Sequence, residues 1–150
     1  MPKTIQIAID GPAGAGKSSV AKALAKRLDI RYLDTGGLFR TYAYGLSRDG
    51  ILPEQLTTAK AIVDRYDVQL TLAGQEGFFL NGENVSQAIR ENHMSQLASD
   101  YSKHPAVREA VLILERQLAK NHAVVMDGRD IGSVVLPEAP FKVFLTADLA

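Results

Sequence analysis

The chain opens on a short apolar, β-rich run, TIQIAID, that stops at Gly11-Pro12, and apolar residues then recur at Val20, Leu24 and Leu28 through SSVAKALAKRLD. A short apolar run bounded by a turn signal predicts a buried strand, and a spacing of four predicts one face of a helix. The segment therefore reads as strand, glycine loop, helix. IRYLDTGG repeats the pattern, with a second strand at about Ile30 to Leu33 and a helix that carries Leu38, Tyr42 and Leu46 on one face. Two βα units in succession favour a parallel sheet.

From Ile51 the pattern changes. A helical stretch through Ala61 and Val63 is expected, then an alternating strand VQLTL, a turn at AGQEG and a second strand in FFLNGENV. This predicts a small antiparallel excursion, with Asn81-Gly82 as a turn. Pro105 fits a first helical position, and Val107, Val111, Leu114 and Leu118 predict an apolar stripe along AVREAVLILERQLAK. HAVVMDGRD reads as a third core strand. IGSVVLPEAP connects it to FKVFLTAD, a fourth strand of continuous apolar character. No repeat, low-complexity tract or Pro/Gly/Ser-rich linker interrupts this order. The expected fold class is α/β, a parallel sheet with flanking helices and a small antiparallel insertion.

Charge removes several functions from consideration. Among 150 residues, 17 Lys plus Arg balance 17 Asp plus Glu, and no basic cluster stands out from the mixture. Such a chain has no field to hold a nucleic-acid backbone or an anionic membrane. No run approaches the ~18 apolar residues of a membrane span, and the N-terminus lacks the sections of a signal peptide, so a cytoplasmic protein is expected. The absence of Cys excludes disulfides and thiolate chemistry. His93, His104 and His122 are scattered without metal-ligand spacing, and no zinc site is expected.

The candidate chemistry lies in the glycine loop. Gly11, Pro12, Ala13, Gly14, Ala15, Gly16, Lys17 and Ser18 satisfy G-x-x-x-x-G-K-[ST] between a predicted strand and a predicted helix, the context the motif requires. Backbone N–H groups of such a loop, together with the helix N-terminus, face the phosphates of a nucleotide. Lys17 supplies a point charge for the β- and γ-phosphates, and the Ser18 hydroxyl is a ligand for Mg²⁺ bridging them. A guanine-reading Asn/Thr-Lys-x-Asp motif is missing, which argues against a GTPase.

A phosphotransferase must also hold a second anionic substrate. Arg40, about one turn into the helix that follows Asp34-Thr35-Gly36-Gly37, could reach a phosphate at the C-terminal edge of the sheet; alone it reads equally as a surface arginine. Asp127 directly follows an apolar strand, the usual place of the carboxylate that holds Mg²⁺ or its water in P-loop enzymes. Arg129 could meet a phosphate and Asp130 a donor, unless Asp127-Gly128-Arg129-Asp130 is only a polar turn. Arg108 stands in the first turn of a helix, where the macrodipole disfavours a cation, and Ser99 lies nine residues before it.

Taken in order, GPAGAGKSS, DTGGLFR, SDYSKHPAVREAV, MDGRDIGSVVLP and FKVFLTAD resemble bacterial cytidylate kinases, P-loop nucleoside monophosphate kinases, over essentially the whole chain. The resemblance implies one P-loop kinase domain over 1–150 with a nucleoside-monophosphate-binding insertion at about 36–104. It implies transfer of the ATP γ-phosphoryl to CMP or dCMP, with Mg²⁺ as the metal, in pyrimidine nucleotide metabolism of the cytoplasm. It makes Gly14 to Ser19, Ser19 included, the ATP phosphate loop, and Lys17, Arg40, Asp127 and Arg129 the catalytic set. Asp34, Thr35, Arg40 and Arg129 become contacts to the acceptor nucleotide. Ser99, Arg108 and Asp130 would read cytosine, whose exocyclic amine donates to a carboxylate and whose acceptors take hydrogen bonds from Arg108 and Ser99.

Gly37, Phe39 and Ser133 stand where the family more often has Ala, Tyr and Thr. Members of the family also continue past the fourth strand into a helix, an arginine-bearing lid, a fifth strand and a closing helix, so the chain is expected to be truncated before the lid. Three readings follow: a (d)CMP kinase, another small P-loop kinase with UMP or AMP as acceptor, or a nucleotide-binding fragment that does not transfer phosphate. A monomer is expected, with nucleotides as its only partners.

Overall fold

A computed structural model describes residues 5–12, 14–56, 60–72 and 77–146. The chain divides into two compact units, one of residues 1–35 and 115–150, the other of residues 36–114.

In the first unit, β1 (Gln6–Asp10), β2 (Arg31–Leu33), β6 (Val124–Gly128) and β7 (Phe141–Phe144) form a parallel sheet of order β2-β6-β1-β7. β1 lies between β6 and β7, with Ile9 opposite Asp127 on one side and Val143 on the other. Every strand of a parallel sheet ends at the same edge, so the residues that follow β1, β2 and β6 share it. That edge receives the glycine loop, Asp34 and the Asp127–Asp130 segment.

Helix α1 (Lys17–Leu28) covers one face of the sheet, where Ile7, Ile9 and Val125 meet Ala21 and Ala25. The expected stripe is corrected here. Val20 and Leu28 are exposed, Leu24 is partly buried, and the contact line is formed by the alanines one position on. Small side chains let the helix backbone approach the sheet, and a hydrophobicity pattern weights an alanine too lightly to show this. Asp29 ends α1 in the left-handed conformation, with its N–H on the carbonyls of Ala25 and Lys26.

The fourth strand of the sequence pattern is β7, which among the described residues lies at the edge of this sheet with all four residues exposed.

The second unit begins within helix α2 (Thr35–Arg48), whose Leu38, Tyr42 and Leu46 are all buried, as the pattern predicts. The helix expected from Ile51 to Val63 is only a 3₁₀ turn at Pro53–Leu56 and a single turn, α3 (Lys60–Val63), with 57–59 outside the described residues. Antiparallel strands β3 (Val68–Thr71), β4 (Gly77–Leu80) and β5 (Glu83–Asn84) follow. Asn81 and Gly82, both at positive φ, make the tight β4–β5 turn. The AGQEG turn falls largely outside the described residues. Helix α4 (Met94–Ser102), which the sequence pattern did not disclose, buries only Met94, Ala98 and Tyr101.

Helix α5 (Pro105–Asn121) starts at its proline and runs from the second unit into the first. Val107 and Val111 of the expected stripe are buried and Leu114 and Leu118 half-buried, while the fully buried line continues from Val111 through Glu115 and Ala119 at a spacing of four. Among the described residues, no helix is long and apolar enough to cross a membrane.

Candidate active site

The glycine loop takes its shape from backbone conformation. Gly14 and Gly16 sit at φ 82° and 83°, where a side chain is strained, and Ala15 N–H closes a turn on the Pro12 carbonyl. Gly16 is the N-cap of α1 and offers no side chain to the first N–H groups, and the first turn carries no acid. The positive end of the helix is therefore left for an external anion. Lys17 Nζ donates to the carbonyls of Gly11 (2.8 Å) and Pro12 (3.0 Å), which holds the ammonium across the loop. Ala13 lies outside the described residues.

Gly14, Gly16, Lys17, Ser18 and Ser19 line one hollow of about 310 Å³, and Asp127 from the end of β6 completes it. The loop and the acid are thus brought together by the β1–β6 pairing. A second hollow of about 860 Å³ lies on the β7 side, where Arg129 and Asp130 line it with Asp10, Gly11, Pro12 and residues of β7. Asp34 and Thr35 leave β2 at the same sheet edge but line neither hollow.

The remaining candidates belong to the other unit: Arg40, partly buried on α2; Ser99, exposed on α4 with its carbonyl accepting from Ser102 Oγ; and Arg108, exposed in the first turn of α5. Gly37, which stands where the family more often has Ala, is tightly packed: an added Cβ would lie 2.1 Å from the ring of Phe78.

Two residues of the site were missed by the sequence reading. Tyr32, in the middle of β2, donates its hydroxyl to Asp127 Oδ1 at 2.6 Å and also interacts with Ser18. Burial first, and then the Asp127 carboxylate, hold the phenol well above its ordinary range, so it stays a donor at every physiological pH. The other is Asp10, whose carboxylate accepts from the N–H groups of Ile131 (2.7 Å) and Gly132 (2.9 Å). The signal for it was present, since Asp10 is an acid directly after an apolar strand, as Asp127 is.

The hard oxygen donors Ser18 and Asp127 beside a phosphate loop fit Mg²⁺. Among the described residues there is no group of three His, Cys, Asp or Glu that could hold a metal without help.

A parallel sheet whose first strand passes through such a loop into a helix defines the P-loop class of nucleotide-binding folds. The family model of cytidylate kinase matches residues 7–150. The chain is 48% identical to a cytidylate kinase of Caldanaerobacter subterraneus subsp. tengcongensis, over 97% of this chain and 64% of the relative. It is 44% identical to that of Caldicellulosiruptor saccharolyticus, over 97% and 65%, and 47% identical to that of Mycobacterium leprae, over 95% and 63%. The chain belongs to the cytidylate kinase family, and it spans a little under two thirds of the length of these relatives.

Proposed function

We propose that the protein transfers the γ-phosphoryl group of Mg²⁺-ATP to the 5′-phosphate of CMP or dCMP, giving ADP and CDP or dCDP. The observation that carries this reading is the single hollow shared by Gly14, Gly16, Lys17, Ser18, Ser19 and Asp127 in a chain of this family. An acceptor phosphate oxygen attacks the γ-phosphorus, the bond from that phosphorus to the bridging oxygen breaks, and ADP leaves with the electron pair. The attacking oxygen is already ionised at neutral pH, so no strong general base is required. Rate comes from positioning and charge neutralisation.

In this reading the loop N–H groups and Lys17 hold the donor phosphates, and Ser18 and Asp127 hold Mg²⁺ directly or through its water. Held by these two residues, Mg²⁺ would supply positive charge to offset the charge that develops on the transferring phosphoryl group. Arg40 and Arg129 take the acceptor phosphate, beside Asp34 and Thr35. Asp130 accepts from the exocyclic amine of cytosine, with Ser99 and Arg108 as donors to the base. Uracil presents an acceptor at that position and would leave the Asp130 carboxylate facing an oxygen, which disfavours UMP.

The test is ADP release from Mg²⁺-ATP with CMP, dCMP, UMP and AMP offered separately, and with Lys17→Ala as the control. Release with CMP or dCMP alone, abolished in a folded Lys17→Ala, is the expected result. Turnover that survives the lysine substitution would overturn the role given to the loop, and equal turnover with UMP the role given to Asp130.

A further inference from the structure

The segment that follows β6 is a short π-helical turn, Ile131–Val135, with N–H to C=O bonds from Val135 to Asp130 and from Leu136 to Ile131. The first N–H groups of any helical turn need acceptors, and an Asp at the N-cap is the usual local supplier. Asp130 occupies that N-cap but makes no capping bond, and it sits in the left-handed conformation at φ 59°. The acceptors come instead from Asp10, a residue 121 positions earlier, whose two carboxylate oxygens take one N–H each. We infer that Asp10 is a positioning residue for base selection: by capping the turn itself, it leaves the Asp130 carboxylate available to the nucleobase and fixes the backbone that presents it.

Three observations support this. Asp10 is held by the sheet, with Gly128 of β6 and Phe144 of β7 as its register partners, and its carbonyl accepts from Leu145 N–H at 2.7 Å. A carboxylate on a strand flanked on both sides is a firmer anchor than one on a loop. Left-handed backbone at a non-glycine residue persists only where its surroundings over-determine it, and the two bonds from Asp10 begin at the very next residue. Finally, Asp10, Arg129 and Asp130 line the same hollow, so the anchor and the two residues it orders border one space. Without Asp10, the bare N–H groups of Ile131 and Gly132 would recruit the nearest carboxylate, that of Asp130, and withdraw it from a ligand.

The inference rests on the reading of Asp130 as the cytosine acceptor, and its test separates the two. CMP and UMP binding to the protein are titrated for wild type, Asp10→Asn, Asp130→Asn and the double variant. Asp10→Asn is nearly isosteric but cannot accept both N–H bonds. A merely structural role would lower the folded fraction and weaken both nucleotides equally, whereas the ratio of their affinities is independent of that fraction.

The expected result is a CMP-over-UMP preference in wild type that falls about tenfold in Asp10→Asn, with no further fall when the substitution is added to Asp130→Asn. Amide exchange at Ile131 and Gly132, measured without nucleotide, should quicken in Asp10→Asn. A preference undiminished in folded Asp10→Asn overturns the positioning role, as does unchanged exchange at the two amides. A wild type without preference overturns the reading of Asp130 and the inference with it.

Discussion

Tyr32 joins the two groups proposed to hold Mg²⁺, the carboxylate of Asp127 and the hydroxyl of Ser18, from the middle of β2. Its hydroxyl orients the acid without competing for metal. Tyr32→Phe should weaken ATP binding in the presence of Mg²⁺ by about tenfold or more, the usual scale for one hydrogen bond to a charged group, and leave binding in EDTA unchanged. Titrations in the two conditions check this; an equal loss in both would place the effect on the loop instead. Glu115 presents the opposite case, a carboxylate at 5% exposure within the buried line of α5. Burial raises its pKa from 4.5 to about 7, against a smaller lowering by Arg116. A carboxyl whose folded pKa is raised binds more protons folded than unfolded between those values. Its stabilising contribution is full below about pH 4.5 and is lost as pH rises through about 7. The loss is on the order of 3 kcal/mol. Denaturant midpoints at pH 5 and pH 8 should differ in wild type, and Glu115→Gln should remove most of the difference.

At the scale of elements, the site depends on how closely α1 lies on the sheet, because the N-terminus of this helix is the floor of the loop. Ala21 and Ala25 set that distance. Ala21→Leu should destabilise the protein by about 1–3 kcal/mol through overpacking, while Val20→Ser, on the exposed side, should stay within about 0.5 kcal/mol. Thermal or denaturant unfolding of both variants decides the matter, and a larger loss at Val20 would restore the stripe that the hydrophobic spacing predicts. The packing of Gly37 against Phe78 teaches the same point in the other unit. A residue that departs from the common form of a motif is matched to a ring that is distant in sequence and close in space. Motif reading finds the loop and the polar strand ends because those signals are local. It misses α4, whose apolar residues are few, and misplaces the line of α1 and the latter half of that of α5, where a small or an ionisable residue takes a core position.

At the scale of the whole molecule, the open edge of β7 matters most. Phe141, Val143 and Phe144 are 55%, 44% and 70% exposed on a strand that, among the described residues, is paired on one side only. An apolar edge with unpaired backbone groups is a template for another chain. The 150-residue chain on its own should therefore associate as its concentration rises, and Phe141→Lys should raise the concentration at which light scattering first increases; no change with Phe141→Lys would place the contact elsewhere. The sequence by itself determined the order of strands and helices around the loop, the phosphate-binding motif and the family, because each is written in neighbouring residues, where strand and helix periods and backbone N–H supply are local properties. Only the tertiary structure decided that β6 and β7 flank β1, and hence that Asp127 faces Ser18 and that Asp10 caps a turn 121 residues away. The physical reason is that strand pairing joins residues without regard to their separation along the chain, and no local pattern records which strand will be the neighbour.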